Sequence, residues 1–121
     1  MPYVATQQST CGNGNNLTDG NTPTCGATNY KGDEDNVYIF TPTTSGDISI
    51  RLKTTATRNG MFLYDGCPVA SPCGPSTANC IGAQTGNDDK TLCATVTAGT
   101  TYYLLIDSRS SCFAFDLSIS A

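Results

Sequence analysis

Polar and apolar residues alternate with a period of two in several short stretches of the chain, which is the pattern of a β-strand that turns one face to a core. In residues 47–53 (DISIRLK), Ile48, Ile50 and Leu52 fall on one side and the polar or charged residues fall on the other. Residues 113–120 (FAFDLSIS) repeat this alternation. Both stretches are therefore predicted to be half-buried strands.

Shorter apolar runs between turn residues predict further strands. They occupy residues 36–41, 60–65, 91–97 and 101–107, with room for one more short strand near 80–83. The run at 36–41 (NVYIFT) is apolar on both sides, which is typical of a central strand. No stretch has helical periodicity, and parallel strands would need crossover helices. The sequence thus predicts a single all-β, antiparallel β-sandwich over residues 1–121.

The predicted core consists of inward-facing aliphatic and aromatic positions of these strands. They are Val37, Ile39, Ile48, Ile50, Leu52, Leu63, Val96, Leu104, Ile106, Phe115, Leu117 and Ile119. Hydrophobic residues make up only 38% of the chain, so this core is thin and covalent cross-links should matter for stability.

Composition and charge exclude two classes of partner. Charged residues are 13% of the chain, about half of the roughly 25% that is usual, and the net charge is −4. No basic stripe is present to follow a phosphate backbone, so nucleic acid is not an expected partner. No run of about 18 apolar residues occurs, so no membrane-spanning helix is expected.

Seven cysteines and no histidine favour disulfides over a zinc site, since no C-x2-C pair is present. Disulfides imply an oxidising compartment, and hence secretion. The predicted pairs close irregular stretches or join outward strand positions: Cys11–Cys25, Cys67–Cys80 and Cys93–Cys112. Cys73, between Pro72 and Gly74, is predicted to be the remaining thiol, free or bonded to another chain.

Catalysis is not expected. Without histidine, a serine or cysteine nucleophile lacks its usual general base. No carboxylate is expected in an apolar segment that would raise its pKa, and Asp19, Asp47, Asp88 and Asp89 are interpreted as solvated turn residues. Of the adjacent Tyr102 and Tyr103, one must face away from the core. Such a tyrosine either stacks on a sugar or peptide or, more commonly, packs beneath a loop.

Three stretches, taken in order, resemble the bacterial pre-peptidase C-terminal domain family, in particular its cysteine-containing secreted variants. They are GDEDNVYIFTPTTSG (32–46), GMFLYDGCP (60–68) and VTAGTTYYLLID followed by FDLSIS (96–107 and 115–120). The resemblance implies a jelly-roll-type β-sandwich without catalytic activity, carried beside other exported domains. It also implies that calcium or an extracellular polymer is a candidate ligand.

Two features depart from the family pattern. Tyr38 lies three positions after Asp35, which offsets the usual acidic-x-acidic-x-Tyr arrangement. Cys73 and Cys93 are additional to the common cysteines, so the resemblance does not supply their pairing.

The acidic run at the start of the first long apolar strand is a candidate metal site. Asp33, Glu34 and Asp35 follow Gly32 and have polar helpers in the preceding loop, of which Asp19 and Asn16 are the foremost and Asn13 and Asn15 are further candidates. Flexible loops with carboxylate, amide and carbonyl oxygens suit Ca²⁺. The alternative is a solvated turn. The loop itself, residues 11–35, is expected to be pinned by a disulfide, because a free loop of that length is unusual.

Residues 1–10 form a short strand-like segment (including PYVATQQ) that could pair with the edge of its own sheet or with that of a neighbouring subunit. The first function predicted is a secreted, non-catalytic accessory module with an adhesive, targeting or stabilising role. Its partners would be other domains of a secreted protein, or an extracellular polymer or glycan. The alternative is an extracellular filament subunit that donates its N-terminal strand and forms an inter-subunit disulfide.

Overall fold

The computed structural model describes residues 3–12, 14, 17–18, 22–23, 25–26, 30–31, 35–68, 78–109 and 111–121. These residues form eight strands and no helix. The strands are β1 (Tyr3–Ser9), β2 (Asn36–Phe40), β3 (Gly46–Lys53), β4 (Asn59–Tyr64), β5 (Cys80–Gly86), β6 (Lys90–Val96), β7 (Tyr102–Ser108) and β8 (Ala114–Ser120). Among the described residues, no helical segment has the length and apolar character needed to cross a bilayer.

The strands form two antiparallel four-stranded sheets that pack face to face. The first sheet has the order β1-β8-β3-β6 and the second sheet has the order β2-β7-β4-β5. Eight strands in two sheets with this interleaved order make a jelly-roll sandwich. The predicted all-β fold is confirmed, and so is the short strand near residues 80–83, which is part of β5.

Ten of the twelve predicted core residues are buried between the sheets. The predictions for Val37 and Ile39 are wrong, because these side chains are 36% and 60% exposed. β2 is an edge strand rather than a central one, and its Tyr38 and Phe40 pack against the core instead. Because both sides of this strand are apolar, the alternation of its residues could not show which side faces the core.

The strand β4 is buried on both faces along its whole length. Met61 and Leu63 belong to the core between the sheets, whereas Phe62 and Tyr64 belong to a second apolar cluster. Since adjacent residues of a strand point to opposite faces, this second cluster lies on the outer side of the second sheet.

Two disulfides join described residues, and both differ from the predicted pairs. Cys11 bonds to Cys112 with 4.8 Å between their Cα atoms, so the predicted Cys11–Cys25 and Cys93–Cys112 pairs are wrong. The reason lies in the topology: β1 pairs with β8, with Ser9 opposite Ala114, and each cysteine lies two residues beyond this last pair.

The second disulfide joins Cys25 to Cys80, with 5.1 Å between their Cα atoms, so the predicted Cys67–Cys80 pair is also wrong. It ties the loop that precedes β2 to the start of β5. Cys67 is disulfide-bonded as well. Cys93 is an exposed free thiol, contrary to its predicted pairing. Cys73, the predicted free thiol, lies outside the described residues.

Candidate functional site

The outer side of the second sheet carries an apolar cluster that is covered by the segment between β1 and β2. We call it the outer cluster; its buried members are Leu17, Cys25, Phe62, Tyr64 and Leu105. Tyr30, Tyr103 and Ala83 are among the half-buried residues that pack against it. In a sandwich of two sheets alone, this face would be exposed to water. Here the covering segment forms a third layer over β4 and β7.

Lys31 lies within the outer cluster with only 2% of its surface exposed. Its ammonium donates hydrogen bonds to Tyr64 Oη at 2.8 Å and to Thr22 Oγ1 at 3.0 Å, and it sits 4.6 Å above the centroid of the Phe62 ring. A buried ammonium is costly unless polar partners replace its water, and the hydroxyls and the ring face do so here. Lys31 therefore fastens the covering segment to β4.

Further bonds fix the same segment from other positions. The Tyr64 hydroxyl donates to the Pro23 carbonyl at 2.9 Å, and the Thr22 hydroxyl donates to the Thr18 carbonyl at 2.6 Å. The Cys25–Cys80 disulfide adds a covalent tie to β5. This disulfide joins Cys25 to a cysteine outside residues 11–35, rather than to Cys11 within them as predicted.

Asp35 is the one predicted calcium ligand among the described residues, and it is 5% exposed. Its Oδ2 accepts a hydrogen bond from the Leu17 backbone N–H at 2.9 Å, and its own N–H donates to the Gly14 carbonyl at 3.2 Å. Asp35 therefore links two points of the covering segment to the start of β2.

The other predicted ligands, Asp33, Glu34, Asp19 and Asn16, lie outside the described residues, as do the helpers Asn13 and Asn15. Within the described part of the chain, no group of three acidic or cysteine residues could hold a metal ion. Calcium binding at the start of β2 stays a prediction.

Several of the remaining described carboxylates connect separate segments, and Asp88, Asp89 and Asp116 line one open depression beside Lys53. Asp89 accepts from the Thr54 N–H, Asp116 from the Gln7 N–H and Asp65 from the Asn79 N–H, each at 2.7 to 2.8 Å. Asp47, Asp88 and Asp89 are exposed, as interpreted from the sequence.

Asp107 contradicts the expectation that no carboxylate lies in an apolar segment, because it ends the apolar run of β7 and is fully buried. Its Oδ1 accepts from the Ser108 N–H at 2.7 Å. In the sequence, the burial of Asp107 was indicated by its position directly after Leu104, Leu105 and Ile106.

Most tyrosines are used for packing. Tyr102 is 3% exposed and stacks on Phe40 at 5.6 Å between centroids, while Tyr103 faces outward and packs against the outer cluster. This arrangement agrees with the packed alternative rather than with a ligand platform. Tyr38 donates to Gln8 Oε1 at 2.8 Å, and burial raises the pKa of its hydroxyl.

A short apolar strip of β2 stays exposed beside the outer cluster. Val37 and Ile39 of β2 stand opposite Leu105 and Tyr103 of β7, on the same outer face. The strip therefore continues the outer cluster out to the sheet edge. It was missed in the sequence because its residues were assigned to the core.

Many solved structures are similar to this chain, and three of them illustrate the range. The pre-peptidase C-terminal domain of collagenase from Bacillus anthracis has a TM-score of 0.56 and 13% identity, and the match covers 99% of this chain and 88% of that one. PliG from Aeromonas hydrophila, a periplasmic inhibitor of g-type lysozyme, has a TM-score of 0.55 and 13% identity, with coverage of 98% and 84%.

The third is the carbohydrate-binding module CBM6cm-2 of lichenase 5A from Cellvibrio mixtus, in complex with cellotriose. Its TM-score is 0.50 at 11% identity, with coverage of 98% and 96%. No protein-family model and no curated protein matches the sequence. At these identities the likeness is one of fold, and at that level the resemblance to pre-peptidase C-terminal domains is confirmed.

Proposed function

We propose that this chain is an exported, non-catalytic accessory module that attaches a larger secreted protein to an extracellular polymer. The observation that carries the proposal is the use of the carboxylates: Asp35, Asp65, Asp89 and Asp116 each accept a backbone N–H and so hold segments of the sandwich together. A chain without histidine and with carboxylates in structural roles has few groups left for acid–base chemistry.

Export is supported by the disulfides that join distant parts of the chain, Cys11–Cys112 and Cys25–Cys80. A binding role is supported by the fold, which the chain shares with a pre-peptidase C-terminal domain and with a carbohydrate-binding module. The exposed apolar strip of Val37 and Ile39 offers a surface on which the apolar face of a sugar ring or an apolar side chain can pack.

Co-sedimentation with insoluble polysaccharides such as cellulose, chitin and peptidoglycan tests the binding role. We expect retention on at least one polymer, with no release of reducing sugar or peptide. Ile39→Asp should weaken retention, and Arg51→Ala, on the exposed face of β3, should leave it unchanged. Hydrolysis of any polymer by the isolated chain would refute the non-catalytic assignment.

We further propose that Ca²⁺ binds at the start of β2 through Asp33, Glu34 and Asp35, helped by Asp19 and Asn16. Support comes from Asp35, which is already buried and bonded to the covering segment, so that an ion beside it would strengthen the same connection. Millimolar Ca²⁺ should raise the melting temperature, and a chelator should reverse the rise. If the rise survives Asp33→Asn combined with Asp35→Asn, the ion binds elsewhere.

A filament subunit is the second candidate, and the observation in its favour is the exposure and irregular pairing of β1. Tyr3 and Val4 are 43% and 68% exposed, and the register with β8 shifts between Ala5 and Gln8, where Gln7 has a φ of +53°. In the structure β1 fills the edge of its own sheet. Filaments in negative-stain images that disappear when residues 1–10 are deleted would favour this candidate.

A further inference from the structure

The four edge strands of the sandwich differ in how well they are protected against pairing with another strand. β1 has a register shift against β8, and β5 has one against β4. β2 has only five residues. β6 is the exception: it has seven residues and pairs with β3 without interruption, from Gly46 opposite Val96 to Leu52 opposite Lys90. Bulges and short length are the usual protections of an edge, and β6 has neither.

The side chains of β6 leave that edge accessible. Thr91, Cys93 and Thr95 are exposed on the outer face of the first sheet, and Leu92 and Val96 face the core. A lysine can guard an edge by projecting into water. Lys90 does not do so, because its ammonium turns back to bond Asn59 Oδ1 and the Asp88 carbonyl, and it is only 8% exposed.

We propose that the free edge of β6 pairs antiparallel with β6 of a second copy of this chain, about a two-fold axis at Cys93. The dimer would join the two first sheets into one continuous sheet, with four strands from each copy. Cys93 is the central residue of β6, so this register uses the whole strand.

The register is self-complementary. Thr91 stands opposite Thr95 of the second copy, a favourable cross-strand pair, and no two like charges face each other. Isologous contacts of this kind close after two subunits. A pairing that relied on the shorter β2 would form fewer backbone hydrogen bonds.

The same register places the two Cys93 thiols side by side on the outer face. Directly opposite residues of antiparallel strands have Cα atoms about 4.5 or 5.5 Å apart, and a disulfide spans about 4.4–6.8 Å. Cys93 is exposed and carries a free thiol, so a small disulfide oxidant can reach it.

Covalent closure then needs two exchange steps. One Cys93 thiolate attacks oxidised glutathione and releases one glutathione thiol, and the second copy's Cys93 displaces the other. The two protons and two electrons lost by the cysteines are carried by the two glutathione thiols.

The test compares edge variants in a Cys93→Ser background by sedimentation velocity without reductant, which keeps the Cys11–Cys112 and Cys25–Cys80 bonds. Proteins that retain Cys93 are compared on non-reducing gels after oxidised glutathione is added. The Cys93→Ser protein should form a dimer of twice the 12.6 kDa chain mass, and the oxidant should make the wild-type dimer covalent. Cys93→Ser should keep the reversible dimer and lose the covalent one. Thr91→Lys combined with Thr95→Lys places like charges opposite each other twice, and should weaken dimerisation about tenfold and slow cross-linking.

The matched control is Val37→Lys combined with Ile39→Lys, which puts the same charges on the exposed β2 edge and should leave the dimer intact. The proposal is overturned if the Cys93→Ser protein, with its two other disulfides intact, stays monomeric at high micromolar concentration. It is equally overturned if the β2 variant, rather than the β6 variant, abolishes the dimer.

Discussion

The two outer faces of the sandwich are built in opposite ways. On the first sheet the outward positions of β3 and β8 are polar and in water, so both strands alternate clearly between buried and exposed residues. On the second sheet the outward positions of β4 are Phe62 and Tyr64, and every residue of that strand is buried. The difference shows that the covering segment is part of the hydrophobic structure of the protein, although its own sequence is mostly polar.

The largest expected effect on stability comes from replacing one outward-facing side chain on each sheet by alanine. Phe62→Ala should lower the free energy of unfolding by about 3–5 kcal/mol, because the ring is fully buried and its loss leaves a cavity beneath Lys31. Arg51→Ala on the exposed face should change it by no more than about 0.5 kcal/mol. Urea denaturation measures both. Equal effects would mean that the covering layer contributes nothing to stability.

The loss of the Cys25–Cys80 disulfide, which ties the covering segment to β5, should have the next largest effect on the free energy of unfolding. Replacing Cys25 and Cys80 together by serine should cost about 2–4 kcal/mol, because the disulfide closes a long stretch of the unfolded chain. Tyrosine fluorescence should also change if the segment lifts from Tyr64 and Tyr103. Replacing Cys11 and Cys112 by serine is the control, because this disulfide joins the end of β1 to the start of β8 and does not hold the covering segment on the outer cluster. It should cost a similar free energy without changing the tyrosine fluorescence.

A smaller effect is expected at Asp35, where two substitutions give different results. Asp35→Asn keeps an oxygen that accepts from the Leu17 N–H, so it should cost little without calcium. Asp35→Ala leaves that buried donor unsatisfied and should cost about 1–3 kcal/mol. A similar cost for the two variants would show that charge, rather than the hydrogen bond, is what the covering segment needs.

The smallest effect concerns pH at the junction of β1 and β2. Burial raises the pKa of Tyr38 above its usual value of 10.0. Its contribution to stability is therefore fully present below pH 10 and is lost as pH rises through the folded-state pKa. Alkaline unfolding of Tyr38→Phe should lack this component. Tyr103→Phe, which removes a hydroxyl outside this junction, is the comparison.

The sequence predicted the strands well and the covering layer poorly, for a physical reason. Alternation in β3 and β8 reports contact with water on one face, which is a local property. The burial of Phe62 depends on Lys31 and Leu17, which are more than 30 residues away along the chain. A lysine in a polar loop has no signal that marks it as buried.

The disulfide pairs were missed for the same reason. Cys11 and Cys112 meet because β1 pairs with β8, a contact between the two ends of the chain. Pairing cysteines that are close in sequence assumes that irregular stretches close on themselves. In this fold they close on strands of the sandwich instead.

The position of the Cys11–Cys112 bond has a mechanical consequence. Tyr3 stands opposite Ile119 in the antiparallel pair of β1 and β8. A pulling force applied at these two residues would therefore break the backbone hydrogen bonds between the two strands one after another. Peeling would stop at the disulfide, which then carries the tension from one end to the other. The covalent path of the force would then bypass residues 12–111, and the extension of the chain would be limited to the short segments outside the bond.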